Sequence, residues 1–147
     1  MPPRALVLGY GNPDRNDDGA GWAAIEALHA GPPPDTELDT AHQLEVEMAE
    51  RIASFDRVVF VDAAVPEFPE PLAIFEIAPG WRSHATAHHL TPGDLLALAE
   101  TLYGKKPRVT LVTIRGRDFH FGSTLSPETR AAVEEAVQRI RALLSEA

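Results

Sequence analysis

The stretch ALVLGYGNPDRNDDGAG, residues 5–21, reads as a buried strand, a tight glycine turn, an acidic loop and the start of a helix. Leu6, Val7 and Leu8 form a short apolar run ending at Gly9, as suits a parallel strand covered on both faces. Gly9 and Gly11 are expected to let the chain turn sharply as it leaves the sheet. A dinucleotide fingerprint is the obvious reading of Gly9-x-Gly11, but the third glycine of G-x-G-x-x-G would fall on Asp14. Asp17 and Asp18 then stand where a pyrophosphate needs bare amides, so the loop favours a cation over an anion. A lone aspartate here would read as a helix N-cap. Two in succession, in a Gly/Asn-rich loop at the carboxyl end of a strand, point to a site.

Residues 20–30 carry a helical stripe through Trp22, Ala24, Ile25 and Leu28, stopped by Gly31-Pro32-Pro33-Pro34. Residues 36–40 form a second strand with Asp39 near its end, and residues 43–55 have helical spacing through Leu44, Met48, Ile52 and Phe55. Residues 57–63, RVVFVDA, form the clearest strand, a continuous β-branched and aromatic run suited to a sheet centre. It ends in Asp62, and an acid at that position must be hydrogen-bonded, ion-paired, metal-bound or facing a cleft. The proline-rich link at 65–71 is too short for a helical crossover, which predicts an antiparallel edge strand at 72–77. His84, His88 and His89 precede a helix over 90–103 whose cap is Thr91-Pro92. Residues 108–114 give the fifth strand, 115–125 an irregular loop, and 126–145 a final amphipathic helix with Ser126 as N-cap.

This alternation predicts a single α/β domain over residues 1–147. It is a three-layer sandwich with helices on both faces of a five-stranded, mostly parallel twisted sheet that carries one antiparallel edge strand. Right-handed crossovers make the order of the first three strands 2-1-3, so a crevice opens at the carboxyl ends of strands one and three. Asp18 and Asp62 flank that crevice, and the histidine loop can fold over the same edge.

The totals limit the function classes. A net charge of -9 without a basic stripe argues against a nucleic-acid partner. The absence of cysteine removes disulfides, thiolate metal sites and a cysteine nucleophile. No apolar run approaches the roughly 20 residues that span a bilayer, and the start runs directly into the first strand. Neither membrane insertion nor a signal peptide is expected, in keeping with a cytoplasmic protein. There is no G-x-S-x-G elbow, H-E-x-x-H helix or P-loop. Two carboxylates with one imidazole suit a divalent first-row metal.

Leu8-Gly9-Tyr10-Gly11-Asn12, then Asp17-Asp18-Gly19-x-Gly21, Val61-Asp62-Ala63, His88-x-Leu90 leading into Asp94-x-Leu96, and Gly122 through Leu125-Ser126-Pro127 come in this order across nearly the whole chain. In these residues the chain resembles the endopeptidases that mature nickel-iron hydrogenases. The resemblance implies a processing protease of aspartyl type. It would remove the C-terminal extension of the hydrogenase large-subunit precursor after nickel insertion. It implies nickel contacts at Asp18, Asp62 and His88, with the nickel supplied by the substrate and replaceable by other divalent cations, and Asp18 or Asp62 as base. Asp17 and Asp39 match further acidic family positions of unassigned role. After Asp39, Thr40-Ala41-His42-Gln43-Leu44 replaces a glycine pair and resembles the subgroup serving cytoplasmic hydrogenases, which makes His42 an extra candidate contact or else a plain surface histidine. The alternative is a nickel-sensing chaperone that binds the precursor without cutting it.

Overall fold

The computed structural model describes residues 4–81 and 90–145. Its strands are β1 (Ala5–Tyr10), β2 (Thr36–Ala41), β3 (Arg57–Ala64), β4 (Leu72–Ile77) and β5 (Arg108–Arg115). They form one sheet in the order β2-β1-β3-β5-β4. All pairings are parallel except β4 with β5, which is antiparallel, as the short proline-rich link requires. The helices are α1 (Ala20–His29), α2 (Met48–Ala53), α3 (Pro92–Tyr103) and α4 (Pro127–Ser145), and a short 3-10 turn (Asn16–Gly19) leads into α1.

Because side chains alternate across a strand, the two faces of the sheet gather separate cores. Leu6, Leu8, Val58, Phe60, Val109 and Leu111 face one way and pack with Ile52 of α2 and Leu95 and Leu96 of α3. Val7, Val59, Val61, Val112 and Ile114 face the other way, against Ala24, Ile25 and Leu28 of α1 and Val133, Val137 and Ile140 of α4. The central strands are buried on both sides, so they read as continuous apolar runs. This is the three-layer α/β arrangement the sequence predicts, with the 2-1-3 order intact.

Three local expectations are revised. Gly9 lies within β1 and does not make the turn; a Cβ there would run into the Gly21 carbonyl of α1. A Cβ on Gly21 would in turn come 2.5 Å from the Val61 oxygen of β3. These two glycines let α1 lie directly on the sheet, and the turn belongs to Gly11, with φ +138. The second helix begins at Met48, five residues later than its spacing suggested, because Leu44 enters the core from a non-helical segment. Ser126 precedes α4 as expected and its carbonyl accepts the bond from Arg130, but its hydroxyl is spent on Asp17. The cap of α3 follows the sequence: Thr91 and Asp94 make a reciprocal capping box.

Among the described residues no helix is long and apolar enough to cross a membrane.

Candidate active site

The α2/α3 layer stops short of the carboxyl ends of the parallel strands. The next position of the same parity on each strand, Tyr10 on β1, Asp62 on β3 and Thr113 on β5, therefore opens into a cleft instead of a helix. The cleft measures about 760 Å³. Asp18 enters it from the β1–α1 loop, and His42, Phe75, Trp81, Leu90 and Phe119 help to wall it. It sits where β1 has parallel neighbours on both sides, the switch point at which such sheets hold ligands.

The cleft brings Asp18 and Asp62 together. Asp62 titrates at about 7, far above an ordinary carboxylate. Removal from water is the main cause, and the Asp18 charge adds to it. Hydrogen bonds from the Tyr10 hydroxyl and the Ala63 N–H oppose the rise without cancelling it. The Ala63 bond is 2.7 Å long. Burial and the adjacent Asp62 carboxylate in turn push the Tyr10 phenol well above its usual range, so it remains a donor. Asp18 is half-buried and accepts the Asn12 N–H at 2.7 Å, a bond that fixes its direction.

The adjacent Asp17 turns the other way and is fully buried. It accepts the N–H groups of Arg117 at 2.7 Å, Asp118 at 3.0 Å and Ser126 at 2.7 Å, and the Ser126 hydroxyl at 2.7 Å. Burial alone would raise its pKa, but these bonds outweigh it and hold the carboxyl below its ordinary value. Asp17 therefore ties the β1–α1 loop to the loop after β5. Asp39 is also outside the cleft: it pairs with Arg51 and lines a shallower groove of about 480 Å³ beside α1.

His42 reaches the cleft wall, its ring edge-on to Trp22 with centroids 5.3 Å apart. Trp22 is itself held by donating to the Gly11 and Ala41 carbonyls. His84, His88 and His89 lie outside the described residues. Trp81 and Leu90, which bracket them in the chain, both line the cleft. Among the described residues no group of three or more His, Asp or Glu side chains is placed to hold a metal. Those residues offer two carboxylates, enough to donate two oxygens to a cation but short of a closed shell. Tyr10 and Phe119 carried no sequence signal of their own; only the strand register puts Tyr10 beside Asp62.

No protein-family model matches the chain, and no curated protein matches it either. Solved structures do. The hydrogenase maturating endopeptidase HybD from E. coli has a TM-score of 0.78 at 24% identity, over 97% of this chain and 93% of HybD. An endopeptidase from Escherichia coli has a TM-score of 0.77 at 25% identity, over 97% and 93% of the two chains. The [NiFe] hydrogenase maturation protease HybD from Thermococcus kodakarensis has a TM-score of 0.70 at 23% identity, over 97% and 99%. The chain thus has the fold of these three proteins, and the two HybD structures are named for the group that its motifs resemble.

Proposed function

We propose that the chain is a processing endopeptidase of hydrogenase maturation. It removes the C-terminal extension of a nickel-iron hydrogenase large-subunit precursor once nickel has been inserted. The carrying observation is the pair of carboxylates, Asp18 and Asp62, facing one cleft on a fold whose neighbours are named for this activity. In this reading Asp18, Asp62 and His88 contact the substrate's own nickel, so a precursor without metal is not engaged. Asp62, half protonated near neutrality, would release its proton to solvent as the cation takes its place. With the cation polarising the scissile carbonyl, an Asp18 or Asp62 oxygen left free of the metal would take the proton from the attacking water.

The test is intact-mass measurement of nickel-loaded and nickel-free precursor after incubation with the protein. Loss of the C-terminal extension from the loaded form alone is the expected result. An unchanged mass for both forms would overturn the protease reading. Nickel-dependent retention of the precursor without any mass loss would make the chain a nickel-sensing chaperone. With Asp62→Asn, retained nickel-dependent binding and lost cleavage would show that Asp62 does more than dock the metal.

A further inference from the structure

Phe121 is 79% exposed, the most exposed large apolar side chain among the described residues. The loop that carries it is tightly fixed. Asn16 N–H donates to the Gly122 carbonyl at 2.8 Å, and Gly122 N–H donates to the Asp14 carbonyl at 2.9 Å. Thr124 N–H donates to Asn16 Oδ1 at 3.1 Å, and Asn16 Nδ2 donates to Asp118 Oδ2 at 3.1 Å. With Asp17 bonded to Arg117, Asp118 and Ser126, the loop is anchored along its length, yet its one large apolar tip points to water. The Arg15 guanidinium lies over the Phe121 ring, 4.3 Å from its centroid, and makes no ion pair among the described residues.

The position is specific. Phe119, two residues before, lines the cleft, so the Phe121 Cα is within about 7 Å of that wall residue's Cα along the chain. Arg15 is three residues before Asp18 on the opposing loop. Asp18 and Phe119 line the cleft, while Arg15 and Phe121 are exposed to solvent close to them in the chain.

We propose that Phe121 and Arg15 form the docking anchor for the folded body of the precursor, a role that presupposes the processing function above. The complementary patch is an apolar pocket that takes the ring, with a carboxylate at its rim for Arg15. An anchor already held in place loses little freedom on binding, and an aromatic paired with an arginine is the usual make-up of an interface hot spot. A second copy of the chain fits less well: a two-fold contact through Phe121 would set each Arg15 near the other copy's Arg15, like charge against like.

The experiment measures the dissociation constant of nickel-loaded precursor by calorimetry, with cleavage followed in parallel. Phe121→Ala is expected to weaken binding by roughly tenfold or more with an unchanged melting temperature. Phe121→Leu should recover part of the loss. Arg15→Ala should weaken binding by about threefold to tenfold and flatten its salt dependence. Leu102→Ser, at a similarly apolar site 59% exposed on α3, is the control and should leave binding unchanged. If the wild-type protein binds and cleaves while Phe121→Ala stays within about twofold of it, the anchor is wrong and the protease reading stands. An equal loss in Leu102→Ser, or a wild-type dimer that Phe121→Ala dissolves, also overturns the anchor. Failure of the wild-type protein to bind precursor at all overturns both.

Discussion

Asp17 and Ser126 are joined twice, the serine N–H and hydroxyl each donating to the Asp17 carboxylate at 2.7 Å. This pair of hydrogen bonds across 109 residues closes the β1–α1 loop onto the start of α4. Asp17→Ala leaves four donors without their acceptor at a fully buried site. A loss of about 3 kcal/mol or more in urea unfolding is expected. Because the folded pKa of Asp17 is depressed, its contribution is complete above the ordinary carboxylate range and disappears as pH falls through the lower folded value. The gap between wild type and variant should therefore close in acid.

Asp18 should behave differently. Among the described residues it accepts a hydrogen bond from the Asn12 N–H, and it faces the cleft. Asp18→Asn is expected to cost about 1 kcal/mol or less in stability, while lowering affinity for nickel-loaded precursor by at least about tenfold. Measured side by side, the two neighbouring aspartates should separate into a fold residue and a site residue. Equal losses of stability in both would remove that distinction.

Asp62 works against the fold at neutral pH. Its folded pKa, about 7, exceeds the unfolded value near 3.8, so the native state holds a proton the unfolded state has released. Stability conferred by this group is present below pH 4 and is lost as pH rises towards 7. Asp62→Asn removes that dependence. The variant should melt higher than wild type at pH 8, by on the order of 2 kcal/mol, with little difference at pH 4, and it should not cleave precursor. Thermal melts at both pH values check the sign.

Gly21→Ala places a methyl group 2.5 Å from the Val61 carbonyl oxygen. Backbone lies on both sides of the contact, so no side chain can yield. A destabilisation of about 3 kcal/mol or more is expected, visible as a lowered urea midpoint. Gly31→Ala, with only the tip of the Arg141 side chain within 4 Å, is the matched control and should stay within about 1 kcal/mol of wild type.

The sheet was readable because its central strands are buried on both faces and carry unbroken apolar runs. The antiparallel edge was readable because a seven-residue proline-rich link cannot hold a crossover. Periodicity failed at residues 43–47, where Leu44 has helical spacing to Met48 but is buried by a chain that has not yet begun to coil. The site was legible to the level of Asp18, Asp62 and the crevice between them. The separate duties of Asp17 and Asp18 were not, since the donors that claim Asp17 lie about a hundred residues further on. Tyr10 was hidden for a similar reason: it meets Asp62 through strand register, and no local pattern encodes that.

Gly21 presses on the carbonyl of Val61, the residue before Asp62, and Gly11 lies against the Asp18 carbonyl. The gap separating the two acids is thus gauged by main chain against main chain. Aromatic and aliphatic panels around the cleft can be exchanged without resetting that gauge. Under the proposed function, an engineer seeking a different precursor has a fixed cutting head and replaceable jaws.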